Sequence, residues 1–114
     1  MINKEPSKYI NQNLCADEKI VCIPMSSKGF FNKDPADVVI TNKRIFARYD
    51  DGRAFSFSFL QIKNIEAVPN KGFFGGQKNK GAISVYGPYN RVITFPSDNL
   101  DTDMKYIRKI LAVK

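Results

Sequence analysis

The sequence predicts a mainly β fold, in which seven antiparallel strands form a sandwich or partly open barrel capped by one C-terminal α-helix. Two observations support this prediction. Through most of the chain, short apolar runs with period-two alternation are separated by turn residues at close spacing. The period then changes, because Leu100, Met104, Ile107 and Leu111 recur at i, i+4, i+7 and i+11, which is one face of an α-helix.

Turn chemistry fixes the strand positions. Residues 38–49 place two β-branched and aromatic runs around Asn42 and Lys43, a pattern that predicts a two-residue hairpin turn with Asn42 at positive φ. Residues 50–53 and 87–90 carry the signals of two further turns. The predicted strands are 19–23, 38–41, 44–49, 54–60, 62–68, 82–86 and 91–95, with long loops at 25–37 and 69–81.

Both ends of the chain show helical spacing. Tyr9, Ile10 and Leu14 allow one or two helical turns, so we expect residues 1–17 to be an N-terminal extension and residues 18–114 to be the domain. The C-terminal helix has carboxylates at its start and cations in its later part, as the helix dipole favours. These residues are Asp98, Asp101 and Asp103, followed by Lys105, Arg108, Lys109 and Lys114.

Alternation also predicts which side chains form the core. Phe55, Phe57 and Phe59 alternate with serines, so one face of that strand is aromatic and should point inward. An alternative use of three aromatic side chains on a sheet is to stack nucleic-acid bases, with Arg48 and Arg53 nearby. The aliphatic residues expected beside them in the core are Ile40, Ile45, Ile65, Ile83, Val85 and Ile93.

Length and composition indicate one ordered domain. The chain has 114 residues, of which 43% are hydrophobic, and no apolar run approaches the roughly 20 residues that cross a bilayer. The N-terminus has no apolar signal-peptide region, so we expect a cytoplasmic protein. Cys15 and Cys22 are too few for a disulfide scaffold and are expected to be buried free thiols.

The net charge of the chain indicates which kinds of molecule it could bind. Lys and Arg number 18 against 11 Asp and Glu, a formal net charge of +7. Such an excess favours an acidic protein, an anionic membrane surface or nucleic acid. The cations are scattered, however, and no block of like charges marks a binding tail, so solubility alone also explains the excess.

Several segments in order resemble the bacterial pleckstrin-homology-like families, including YokE-like and GRAM-type modules. They are VVITNKRI (38–45), LQIKNIEAV (60–68), the glycine-rich KGFFGG (71–76) and the C-terminal helix. The resemblance implies a small sheet-plus-helix scaffold that binds partners or self-assembles rather than catalyses. Phosphoinositide-binding members carry basic residues on their second strand. Here that strand lacks Lys and Arg and begins near Asp37, so specific phosphoinositide binding is not expected.

The chemistry of the chain argues against catalysis. There is no His, which removes the commonest general base and a common zinc ligand, and two cysteines cannot complete a tetrahedral site. The glycine-rich segment lacks the Gly-Lys-Ser/Thr of a phosphate loop. Asp50 and Asp51 lie in a predicted turn, where structural roles explain them. We therefore expect no enzyme activity, no cofactor and no metal.

A repeated four-residue sequence motif marks the candidate binding surface. KGFF occurs at 28–31 and at 71–74, once in each long loop. The paired phenylalanines either plug the open ends of the sandwich or form a basic, aromatic edge for a partner. At least one of the four is expected to be exposed or buried only against another chain. The hypothetical binding residues are Lys28, Phe30, Phe31, Lys33, Arg53, Lys71, Phe73, Phe74, Lys78 and Lys80.

The function that these features favour is a non-catalytic binding module for a protein partner, including another copy of the chain. The alternative is peripheral binding to anionic lipid, or less favourably to nucleic acid, through the same basic, Phe-bearing loops.

Overall fold

The predicted mainly β architecture is confirmed in a computed structural model, which describes residues 8–24, 35–69 and 80–111. Within these residues, seven strands form two antiparallel sheets, ordered β1-β2-β3-β4 and β5-β6-β7, and the sheets do not close into a barrel. The elements are α1 (Lys8–Asn13), β1 (Ile20–Cys22), β2 (Asp37–Thr41), β3 (Arg44–Arg48), β4 (Ala54–Ser58), β5 (Asn64–Pro69), β6 (Gly81–Tyr86), β7 (Val92–Ser97) and α2 (Leu100–Leu111).

The main core lies between the two sheets and α2. Phe57 is buried there, while Phe55 and Phe59 are half-buried and pack against the same cluster. The predicted inward face of β4 is therefore confirmed, and its register places Phe57 opposite Ile45. The six aliphatic residues expected beside these rings are all buried: Ile40, Ile45, Ile65, Ile83, Val85 and Ile93.

The closing helix docks as its apolar spacing predicts. Leu100, Ile107 and Leu111 are buried and Met104 is half-buried, and α2 contacts β5 and β6. Burying each large side chain contributes roughly 1.5–3 kcal/mol before the entropy cost of ordering the helix. Asn99 begins the helix, because its Oδ1 accepts a bond from the Thr102 N–H.

A second, smaller core covers the outer face of the four-stranded sheet. Ile10 of α1 packs with Ile23, Val39 and Phe46, so β2 and β3 are buried on both faces. This explains why the sequences VVI (38–40) and IFA (45–47) are continuously apolar and do not alternate with polar residues. The division of the chain into an extension and a domain stays a prediction, but the short helix α1 packs directly on the sheet.

The turn between β2 and β3 differs from the prediction. Among the described non-glycine residues, positive φ occurs only at Tyr89 and Asn90, so the expectation for Asn42 was wrong. Thr41 stabilises the turn instead, because its Oγ1 accepts bonds from the N–H groups of Lys43 and Arg44, each at 3.1 Å. A side-chain oxygen that closes a turn removes the need for left-handed backbone.

Candidate functional site

Of the ten residues predicted to bind a partner, the structure describes Arg53 and Lys80. The other eight lie outside the described residues, and their predicted role stays a prediction: Lys28, Phe30, Phe31, Lys33, Lys71, Phe73, Phe74 and Lys78.

Arg53 closes the turn between β3 and β4. Gly52 adopts φ +93°, which is left-handed backbone that favours glycine. The Arg53 guanidinium lies 4.8 Å from the centre of the Tyr49 ring, and its Nε is 2.7 Å from Oδ2 of Asp51. The backbone N–H of Arg53, together with the guanidinium, lowers the pKa of Asp51. Both charged side chains are more than half exposed, so this pair positions Arg53 more than it stabilises the fold.

Arg53 belongs to a continuous arginine–aromatic cluster, which we define as Arg53, Tyr49, Phe55 and Arg91. The Tyr49 and Phe55 ring centres lie 5.4 Å apart, and the Arg91 guanidinium lies 5.3 Å from the Phe55 ring centre. The Tyr49 hydroxyl donates to the backbone oxygen of Val92 at 3.4 Å, which joins the two sheets here. Sequence analysis did not include Arg91 in the candidate site, because its distance from Phe55 depends on how the two sheets pack together.

Lys80 lies away from this cluster. It directly precedes β6, whereas Arg91 follows the turn at the opposite end of that strand. The six residues of β6, at roughly 3.3 Å each, separate the two ends by about 20 Å. The structure therefore brings Arg53 to Arg91 and places Lys80 at the end where β5 stops at Pro69.

Two apolar side chains extend into solvent at the connections between strands. Leu60 is 99% exposed, in a single turn of 3₁₀ helix over Phe59–Gln61 that links β4 to β5. Tyr89 is 86% exposed, in the turn between β6 and β7. Neither was predicted as a site residue. The Ser-x-x-Gln spacing at 58–61 is a capping-box signal that indicates the 3₁₀ turn.

The turn that carries Leu60 is fixed by hydrogen bonds. The Phe59 N–H donates to the Lys43 carbonyl at 3.3 Å, and the Ser58 N–H donates to Oε1 of Gln61 at 3.0 Å. The Ile62 N–H donates back to the Phe59 carbonyl at 3.4 Å. Leu60 is therefore presented on an ordered backbone.

The most strongly perturbed carboxylate is used for structure. Arg44 reaches both oxygens of Glu18, with Nε 2.8 Å from Oε2 and Nη2 2.9 Å from Oε1. Thr41 Oγ1 donates to Oε2 at 2.6 Å, and the Cys15 N–H donates to Oε1. The bonds from Arg44, aided by the others, lower the pKa of Glu18 to about 2. A carboxylate so paired remains ionised at neutral pH and holds the chain before β1 against the β2–β3 turn.

The thiols differ from each other. Cys22 is buried as expected, and burial raises the pKa of its thiol to about 11, which leaves it unreactive at neutral pH. Cys15 is exposed, so the expectation that both thiols are buried was wrong for this residue. Within the described ranges, no group of three or more His, Cys, Asp or Glu side chains is placed to hold a metal ion.

The aromatic face of β4, which the sequence also offered as a stacking surface for nucleic-acid bases, packs against the core. Phe57 is 1% exposed, and its ring lies nearly parallel to that of Phe55 with centres 6.4 Å apart. Both rings face the core, and the cationic group over Phe55 is the protein's own Arg91. Phe57 is therefore inaccessible to a base, whereas Phe55 and Phe59 are half-buried.

Comparison with known proteins adds no relative: no family model matches the chain, and neither the curated proteins nor the solved structures contain a significant match. None of the helices in the described ranges has the length and apolar character needed to cross a bilayer.

Proposed function

We propose that this chain is a non-catalytic binding module of the pleckstrin-homology-like kind that recognises another protein, including a second copy of itself. The observation that carries the proposal is the presentation of Leu60, which is 99% exposed on a turn fixed by three hydrogen bonds that backbone N–H groups donate. A residue whose backbone is ordered before binding loses less freedom when a partner covers it. An exposed aliphatic side chain on such a backbone suits a binding anchor.

The chemistry of the described residues supports a binding role. The strongly shifted groups, Glu18 and Cys22, are respectively paired with Arg44 and buried in the core. Catalytic groups are usually both perturbed and accessible in a cleft. Here Glu18 and Cys22 are both inaccessible to a substrate, whereas the side chains of Leu60 and Tyr89 are exposed.

The proposal is tested by light scattering and by affinity capture from the native host. A captured protein is then purified and its binding measured by calorimetry. We expect Leu60→Ser to weaken the measured association with an unchanged melting temperature, because Leu60 contributes almost no buried area to the fold. Val68→Ser, at a residue that is 43% exposed elsewhere on β5, is the matched control. A chain that stays monomeric and binds no purified partner contradicts the proposal.

The paired phenylalanine loops give a second arm of the same test. Changing Phe73 and Phe74 together to Ser is expected to weaken association while leaving the melting temperature nearly unchanged. A large loss of stability would instead assign these two side chains to the core.

A second candidate function is peripheral binding to an anionic lipid surface. Lys63 and Arg91 have no carboxylate partner among the described residues, and Tyr89 protrudes two residues before Arg91. Cations beside an exposed aromatic residue suit the headgroup region of a membrane. Phosphatidylserine vesicles should then co-sediment the chain at low salt and release it as salt rises. Absence of co-sedimentation at low salt contradicts this candidate, and binding to DNA or RNA instead would replace it.

A further inference from the structure

One sheet edge in the described part of the chain lacks the usual protection against strand pairing. The edge strands are β1, β4, β5 and β7. β1 is three residues long with a register shift, β5 carries Glu66 and ends at Pro69, and β7 contains Pro96. Short strands, irregular register, charges and prolines all hinder the addition of another strand. β4, with the sequence AFSFS, has none of these features.

The hydrogen-bond pattern shows which backbone groups of β4 point away from the sheet. The Tyr49 N–H donates to the Arg53 carbonyl, and the Phe59 N–H donates to the Lys43 carbonyl. In the observed register, residues 53, 55, 57 and 59 therefore direct their backbone groups toward β3. Residues 54, 56 and 58 direct theirs outward.

The outward backbone groups are largely unused. The Ser58 N–H is taken by Gln61. Within the described ranges, the N–H and C=O groups of Ala54 and Ser56, and the C=O of Ser58, have no partner. All three residues are exposed, so these groups are open to solvent or to an added strand.

We propose that β4 is the edge through which two copies of this chain pair, antiparallel and about a two-fold axis at Ser56. The pairing joins two four-stranded sheets into one of eight strands. It rests on the proposed function and names the place and geometry of the self-association.

Symmetry and strand length together favour this register. A two-fold axis passes through a residue that faces its own copy, either in a hydrogen-bonded pair (residues 54, 56 or 58) or in a non-hydrogen-bonded pair (residues 55 or 57), and Ser56 is the central residue of β4. An axis at Ser56 pairs the whole strand: Ser56 with Ser56, Ala54 with Ser58, and Phe55 with Phe57. Ser56 and Ala54 then donate to Ser56 and Ser58 of the other copy, and Gln61 keeps its bond to Ser58.

The composition of β4 is compatible with a second copy. The centre of the strand, Phe55-Ser56-Phe57, reads the same in both directions, so large side chains face large ones and small face small. Directly opposed like charges destabilise a strand pair, and this strand carries no charge in a chain of formal net charge +7. Within the paired strands, therefore, no like charges oppose each other.

Disulfide trapping tests the register. In a Cys15→Ser background, Ser56→Cys places two cysteines at about 5.5 Å between Cα atoms, within reach of a disulfide. Ser58→Cys places them four residues out of register, roughly 13 Å apart. We expect Ser56→Cys to form disulfide dimers roughly tenfold faster than Ser58→Cys, because only its cysteines are close enough to bond. The double variant Ala54→Cys/Ser58→Cys should also cross-link, since those positions face each other. Equal rates for Ser56→Cys and Ser58→Cys would overturn the proposal.

Proline substitution tests the edge independently. The Ser56 N–H points outward, so Ser56→Pro removes a bond of the proposed dimer and no bond between β3 and β4. We expect light scattering to show a monomer for Ser56→Pro and a dimer for Ser56→Ala, with unchanged circular dichroism in both. A dimer that persists in folded Ser56→Pro overturns this edge but leaves the proposed function standing. If Ser56→Pro does not fold, the cysteine variants decide.

Discussion

Gly87 lies directly against the ring of Phe57, so that a Cβ added at Gly87 would stand 2.6 Å from Cδ1 and Cε1 of that ring. Phe57 belongs to β4 of the four-stranded sheet, and Gly87 follows β6 of the three-stranded sheet. The two sheets therefore meet here at a distance that leaves no room for any side chain on Gly87.

Gly87→Ala is expected to destabilise the fold by about 1–3 kcal/mol, because the clash falls on a ring that is 1% exposed and cannot swing away. Urea unfolding measures the change. Combining it with Phe57→Leu should recover part of the loss in a double-mutant cycle. Gly52→Ala is the control, since that glycine has open space around it and only its φ of +93° is strained. Additive effects of Gly87→Ala and Phe57→Leu would show that the contact is not the cause.

Stability should fall in acid because of Glu18. Its folded pKa, about 2, lies below its ordinary value of 4.5, so its ionised form stabilises the fold above pH 4.5. That contribution is lost progressively as the pH falls from 4.5 toward 2, and it is on the order of 3 kcal/mol. Glu18→Gln should be less stable at pH 7 and should show a flatter dependence over this window, measured by urea unfolding at each pH.

Asp51→Asn is the matched control for that titration. Asp51 pairs with Arg53, but both side chains are more than half exposed and screened by water. Because water screens this pair, the variant should change the pH dependence between 4.5 and 2 far less than Glu18→Gln does. An unchanged acid profile in Glu18→Gln would mean that another group titrates there.

Thr41→Val should cost roughly 2–3 kcal/mol, because it leaves the amides of Lys43 and Arg44 without their acceptor and removes one of the donors to Glu18. Thr41 is fully buried, so water cannot replace its hydroxyl. Thr41→Ser keeps the oxygen and loses a methyl group, which costs about 1 kcal/mol. Thermal unfolding of the three proteins checks the order, and equal losses for both variants would assign the effect to packing alone.

Ile107→Ala should destabilise the protein by about 2–5 kcal/mol, since Ile107 is fully buried and its loss leaves a cavity between α2 and the sheets. Lys105→Ala, at an exposed residue of the same helix, controls for helix propensity and should be nearly neutral. Deleting residues 100–114 is expected to leave an insoluble or unfolded remnant. A soluble truncated chain with native-like β circular dichroism would show that the helix is dispensable.

Local patterns were sufficient to predict most elements of this fold. Alternation and turn residues placed each strand within two residues of its observed bounds, and helical spacing placed α2 at Leu100. The exception within β4 is instructive: alternation was predicted to continue to residue 60, but Ser58 and Gln61 close a 3₁₀ turn there instead. The bond from the Ser58 N–H to the Gln61 side chain outweighs the period of the side chains.

Long-range partners could not be predicted from local patterns. Arg44 pairs with Glu18 across 26 positions of sequence, and Arg91 meets Phe55 only because the sheets cross. Likewise, nothing local to Tyr9 and Ile10 indicates that α1 packs on the outer face of the sheet. For the candidate site, the sequence identified Arg53 but not Leu60, whose exposure depends on the direction of the chain between the two sheets.

The second core under α1 has a consequence for local unfolding. Its buried residues are Ile10, Ile23, Val39 and Phe46, and none of them belongs to the main core. A helix of six residues has no stability of its own, so α1 persists only while docked. We therefore expect the amide protons of residues 8–13 to exchange with deuterium through a partial opening. That opening leaves β5, β6, β7 and α2 protected, because it takes no side chain from the core that holds them together.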